Sequence, residues 1–257
     1  MYHAVARTPA LATRDLSVSP DAFSEQMAVL AERGFTPLTT RGLAAAWRGH
    51  GQLPSRPVLI TFDDGYQGVH GHALEALVQH GFPATLFVST GWLRGSYDTG
   101  GAPDTMLDWP QVRALADAGV EIGGHSHTHP QLDQLDDEAL WFELLRCREI
   151  IADELGERPV SFAYPYGYSS RRVRRTVHDA GFRQALAVGN GLARRCQGPY
   201  ALRRLTVRRT TSAETFARIV EGRAIGRAFA ADRALTKGYA VVRRARWARR
   251  KAIRTRG

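Results

Sequence analysis

Three observations on the sequence predict an α/β fold built on parallel strands. Short apolar, β-branched runs alternate with helical stretches from residue 57 onward. Helical stretches close on a glycine followed by an apolar residue, at Gly34-Phe35, Gly81-Phe82, Gly119-Val120, Gly181-Phe182 and, more loosely, at Gly156 before Val160. The densest clusters of acidic, imidazole and aromatic side chains stand just after strand-like runs. Parallel strands need long crossovers, which the helices supply, so the chain forms either a barrel or an open doubly wound sheet. Both architectures gather their chemistry at the C-terminal ends of the strands.

Taken in order, residues 1–20 carry little pattern until Ser19-Pro20-Asp21, a helix start. Phe23, Met27 and Leu30 then recur at helical spacing, and Gly34 ends the turn. Strands are expected over 57–62, 83–88, 119–124, 160–164, 184–188 and 204–208, and helices over 69–80, 109–118, 137–155 and 170–180. Asp108 reads as an N-cap with Pro110 in the first turn of the helix that Trp109 opens. The spacing is irregular, so these are βα units and not repeats.

The chain has 257 residues, enough for one large α/β domain or two small ones. Its net charge of +10 comes wholly from residues 227–257, where eleven Lys/Arg face the single acid Asp232. The expected division is a catalytic domain over 1–215 and a basic, mostly helical tail over 216–257. In the tail Phe229, Leu235, Tyr239, Val242, Trp247 and Ile253 interrupt the arginines, a pattern that suits an anionic membrane surface or an acidic polymer. A solvated tail is the plainer reading, and no nucleic-acid motif accompanies the charge. Cys147 and Cys196 are too few and too far apart for a disulfide scaffold or a thiolate metal site. No apolar run approaches the ~18 residues needed to span a bilayer, and Met1-Tyr2-His3-Ala4-Val5-Ala6 lacks the parts of a signal peptide. The chain as it stands is expected in the cytoplasm, with an extracytoplasmic place the alternative if the start lies upstream.

Asp63 and Asp64 end the run Pro57-Val58-Leu59-Ile60-Thr61-Phe62, and Gly65 follows to permit a sharp turn. Side chains alternate along a strand, so the two carboxylates have different jobs. Adjacent anions are costly unless a cation sits between them or one takes a proton. That predicts a metal bound by Asp64, with Asp63 free as a base. His125 and His129 end the run from Val120 to Gly124 and supply two imidazoles at a spacing of four. Two imidazoles and a carboxylate leave positions open on a zinc-like ion, the mark of a catalytic site. Zinc is the expected metal, with cobalt and nickel also compatible. His127 points elsewhere, as a loop or supporting histidine. In Tyr164-Pro165-Tyr166-Gly167, Pro165 has no N–H, so the Tyr166 N–H is the oxyanion donor unless the run is an ordinary aromatic turn.

Thr61-Phe62-Asp63-Asp64-Gly65, His125-Ser126-x-x-His129 and Phe162-Ala163-Tyr164-Pro165-Tyr166-Gly167, in that order, resemble the three motifs of the polysaccharide deacetylases with NodB homology, carbohydrate esterase family 4. The resemblance runs over residues 1–210. It implies a distorted (β/α)7 barrel, Asp63 as catalytic base and Asp64, His125 and His129 as metal ligands. It also implies removal of N-acetyl groups from a sugar, often N-acetylglucosamine in a polymer. Two departures accompany it. Ala163 stands where the family usually has an arginine, so the arginine that pairs with the base is expected to be absent. No histidine follows His178, so the late Leu-x-His is missing. Both departures resemble the branch acting on poly-N-acetylglucosamine, whose early Met-Tyr-His matches Met1-Tyr2-His3 and makes His3 the expected acid for the leaving amine.

Tyr164, Pro165 and Trp109 are the expected substrate contacts, although Trp109 also reads as core packing. Asn190, Arg203 and Arg204 are weaker expectations near the last strand ends. The rival functions are an O-acetyl esterase with the same machinery and a catalytically silent carbohydrate-binding protein.

Overall fold

The alternating runs fold into a curled parallel sheet in the computed structural model, which describes residues 1–254. The side chains of Lys237 and of 250–254 lie outside the description, including Ile253 of the expected apolar tail face. Helix α1 (Pro20–Glu32) starts where the Ser19 hydroxyl accepts from the Ala22 N–H, so the capping residue read from sequence is the one used. It leads to β1 (Thr36–Leu38), α2 (Thr40–Trp47) and β2 (Pro57–Leu59), and the two strands pair in a small parallel sheet. The main sheet holds β3 (Thr61–Phe62), β4 (Thr85–Val88), β5 (Glu121–Gly124), β6 (Ser161–Ala163) and β7 (Gln184–Leu186), parallel and in chain order. Helices α3 (Leu74–His80), α4 (Trp109–Asp117), α5 (Asp137–Leu155) and α6 (Arg171–Asp179) make the crossovers. The chain then runs through α7 (Ala213–Val220), α8 (Ile225–Ala228) and α9 (Ala230–Arg254). The single strand expected over 57–62 is thus split, its first half pairing with β1 and its second with β4.

Two irregular segments close the ring. Leu186 bridges Leu202, the Met1 nitrogen donates to the Leu205 carbonyl, the Val207 N–H donates to the Met1 carbonyl, and Tyr2 pairs with Phe62. With residues 202–207 and 1–2 as extra staves the sheet becomes a distorted (β/α)7 barrel. Residues 204–208 are not the regular strand expected. Hydrogen bonding is divided along the segment, with Leu202 just before it serving β7 and Val207 within it serving the N-terminal segment.

The barrel interior is layered. At its foot the buried Glu121 carboxylate accepts from Thr85 Oγ1, from Ser161 Oγ and from the Arg41 N–H in the first turn of α2. An unpaired helix-start N–H and a buried acid thereby satisfy each other, and α2 plugs that end. Above lie Phe87, Ala163 and Leu186, packed with Leu43 and Leu202. Gly123 makes room for Phe87, since a Cβ there would stand 2.6 Å from the ring. Outside the sheet the helices bury Phe23, Met27, Leu30, Val112 and Ile150 in the largest core cluster. Helix α7 runs through residue 215, where the catalytic domain was expected to end, and buries Phe216 in that same cluster. Among the described residues no helix is long and apolar enough to cross a membrane.

Candidate active site

The open end of the barrel concentrates backbone strain. Among the described residues, four of the six non-glycine residues with positive φ are Asp64 (77°), Ser126 (67°), His129 (59°) and Tyr166 (59°), all in the three motif loops. Such conformations cost energy and persist where the surroundings enforce them, so they mark this rim as the functional one. The Asp63 N–H donates to the Tyr2 carbonyl as the strand ends. The left-handed backbone at Asp64 then breaks the strand alternation, and Gly65 follows at φ 102°, a conformation that favours glycine.

Asp64 Oδ1 lies 3.2 Å from His125 Nε2 and 3.2 Å from His129 Nε2. These three atoms form a cluster able to hold a metal ion, and Asp64 Oδ1 is buried without a hydrogen-bond partner. The His125 tautomer is fixed by chemistry. Its Nδ1 sits 2.8 Å from the Ala163 carbonyl, which can only accept, so Nδ1 carries the proton and Nε2 presents a lone pair. Burial raises the Asp64 carboxyl, but the His125 and His129 rings beside it outweigh that and hold it well below the usual carboxylate range. An orphaned carboxylate oxygen 3.2 Å from two imidazole nitrogens fits a divalent ion of the zinc type.

Asp63 has different partners. Arg204 donates from both terminal nitrogens to its two oxygens at 2.6 and 2.7 Å, and all these groups are buried. Burial pushes the Asp63 carboxyl up, yet the Arg204 charge leads the opposing causes and the carboxyl settles below its usual value. The arginine expected to be missing because of Ala163 is therefore supplied from elsewhere. Arg204 also bonds the Ala187 carbonyl and Thr61 Oγ1, so it is fixed in the barrel wall and is not a substrate contact.

His3 joins the site because Tyr2 is pinned beside Phe62. Its Nδ1 is buried without a partner, and burial lowers its pKa while Asp64 and Asp63 draw it back up. His127 is turned away, with Nδ1 2.9 Å from Thr90 Oγ1, as expected of a supporting residue. Glu143 on α5 accepts the N–H groups of His127 and Thr128, clamping the histidine loop. Trp92 stacks on His129 with centroids 4.4 Å apart. Neither Glu143 nor Trp92 was found from sequence, and only their contacts reveal them.

The expected substrate contacts fare less well. Tyr164 is fully buried and its hydroxyl donates to the Tyr200 carbonyl. Trp109 is buried in the core, edge-on to Tyr97. Pro165 is buried too and shapes the short turn Pro165–Gly167. Tyr164 follows a strand end and Trp109 opens a helix, and both carry their rings into the core. Tyr166, by contrast, is 51% exposed, with its ring 4.7 Å from His129. Asn190 is buried and accepts from the Thr206 N–H, while Arg203 packs over Gly189 and Gly191.

The chain is similar to the YxkH protein of Bacillus subtilis (strain 168), at 24% identity over 86% of this chain and 75% of that protein. It is 25% identical to the poly-beta-1,6-N-acetyl-D-glucosamine N-deacetylase of Escherichia coli (strain K12) over 72% of this chain, and that alignment spans only 33% of the E. coli protein. Among solved structures, the fold matches the deacetylase PplD of Streptococcus pyogenes with a TM-score of 0.75 at 22% identity, over 84% of this chain and 93% of that one. It also matches IcaB from Ammonifex degensii with a TM-score of 0.69 at 22% identity, over 86% and 94%. Residues 50–185, more than half of the chain, fit the polysaccharide deacetylase family model, and the chain belongs to that family.

Proposed function

We propose that the chain is a metal-dependent de-N-acetylase of N-acetylglucosamine-containing glycans. One observation carries the reading. Two adjacent carboxylates have separate attachments, Asp64 to the two imidazoles and Asp63 to Arg204. A protein that only binds sugar has no use for a base beside a metal cradle. The identity to the E. coli N-deacetylase supports the substrate class.

A divalent ion held by Asp64, His125 and His129, zinc or alternatively cobalt or nickel, supplies a Lewis acid and makes water acidic enough to attack at neutral pH. Asp63 is ionised beside Arg204 and keeps oxygen lone pairs free to accept the proton of the attacking water. The Tyr166 N–H donates to the developing oxyanion. His3, close enough to feel the charges of both carboxylates, delivers a proton to the amine as the C–N bond breaks. Water and acetamide become acetate and the protonated amine, and the proton that Asp63 takes from water restores the one that His3 gives up. On the outer side of α9, exposed Leu235, Val241 and Val242 stand among arginines, which supports contact with an anionic membrane surface or acidic polymer.

The test is acetate release from N-acetylglucosamine oligomers by protein stripped with a chelator and then reloaded with zinc, cobalt or nickel. Release should vanish on stripping and return on loading. Release that survives full stripping defeats the metal-dependent reading, and turnover of an O-acetylated glycan alone would favour an esterase.

A further inference from the structure

The basic C-terminal segment does not hang free of the catalytic body. Helix α9 packs across the rim beside Tyr166. Its Arg243 is buried, lies 3.3 Å above the Tyr168 ring and ion-pairs with Asp133 at 3.2 Å. The Arg243 carbonyl also accepts from Gln134. These contacts fix the helix and one face of Tyr168 together.

From there a line of rings leads back to the metal cradle. Tyr239 of α9 lies 5.8 Å from Tyr168, Tyr168 stacks at 5.8 Å on Tyr166, and Tyr166 lies 4.7 Å from the ligand His129. Arg246, exposed on the next turn of α9, reaches the Tyr239 hydroxyl at 3.5 Å and lies 5.9 Å from its ring. Tyrosine edges with hydroxyls and a guanidinium offer apolar surface and hydrogen bonds side by side, and tyrosine loses little entropy when it binds. A hexosamine, with its apolar ring face and its hydroxyl and acetamide groups, has the matching chemistry.

We infer that Tyr168, Tyr239 and Arg246 form a distal subsite, walled by α9, for a sugar unit of the glycan chain beyond the one being deacetylated. The inference rests on the de-N-acetylase reading and makes the enzyme selective for longer chains. It also returns the tail to the catalytic unit.

The experiment compares wild type, Tyr239→Ala and Tyr239→Trp on an N-acetylglucosamine disaccharide and on longer oligomers, with thermal unfolding as a check on folding. In Tyr239→Ala the ratio of kcat/KM for long over short substrate should fall roughly tenfold, carried by KM, and Tyr239→Trp should restore most of it. A ratio equal to wild type, or an equal loss on both substrates, overturns the subsite while leaving the activity standing. If wild type deacetylates no oligomer, the activity reading fails by itself. Calorimetric binding of the same oligomers then decides the subsite, and Tyr239→Ala binding long chains as tightly as wild type overturns it.

Discussion

Arg204 grips both oxygens of Asp63 across 141 positions of sequence. The contact joins the strand that ends at Asp63 to the segment that closes the barrel. It gives the two neighbouring aspartates different environments, one neutralised by a guanidinium and the other facing imidazoles. A two-point fork of this kind also fixes the orientation of the carboxylate.

Because the pair is buried, removing one member leaves an uncompensated charge. Arg204→Gln should cost about 3–5 kcal/mol of stability in urea unfolding. The double variant Arg204→Gln/Asp63→Asn should recover much of that loss. A single variant as stable as wild type would mean that the pair is not buried as described.

The proposed division of labour between the aspartates predicts that activity and metal binding separate. Asp63→Asn should lose about 10²–10⁴-fold in acetate release while keeping its metal content. Asp64→Asn should lose the metal itself. Metal analysis of the purified variants beside an activity assay reads both, and equal metal loss in the two would merge the roles.

Gly68 lies under the arm that brings His3 to the site. A Cβ there would stand 1.8 Å from the Val5 carbonyl oxygen, which is backbone and cannot swing aside. Gly68→Ala should therefore lower stability by about 1–3 kcal/mol and reduce kcat by lifting the arm. Gly71→Ala, with nothing within 4 Å of its Cβ, is the control and should do neither. Thermal unfolding and turnover of the two variants decide it.

Asp104 ties the same arm to the body by accepting from the Ala10 N–H and the Thr13 hydroxyl. Burial pushes its carboxyl up, but the Thr13 hydroxyl and the Ala10 and Thr105 N–H groups hold it below its usual value. A depressed carboxyl stabilises the fold above its unfolded pKa of about 3.9, and that contribution fades as pH falls through the folded value. Asp104→Asn should be destabilised near about pH 7 and approach wild type in strong acid. A stability difference that is flat with pH would contradict this.

The candidate site was legible in the sequence because each of its parts is local. Asp63-Asp64, His125 to His129 and Tyr164 to Gly167 each end a strand, and strand ends of a parallel barrel share one rim. The caps at Ser19 and Asp108 were legible for the same reason, since a capping side chain bonds an N–H three residues on. What the sequence hid is non-local. Arg204 reaches Asp63 only because residues 202–207 and the N-terminal segment close the ring. Glu143 clamps the histidine loop from a helix. Trp109 and Tyr164 carry rings that suit a sugar or a core equally well, and burial settles it for the core. Charge counting treated residues 227–257 as a tail, because a tally of arginines cannot see Asp133 and Tyr168 waiting for Arg243.

The most direct measurement is the joint count of free amine and acetate formed from an N-acetylglucosamine oligomer by metal-loaded protein and by Asp63→Asn. Amine and acetate should appear one for one with wild type, and both should nearly vanish in the variant. Acetate without amine, or release that ignores Asp63, would contradict a de-N-acetylase that uses Asp63 as its base.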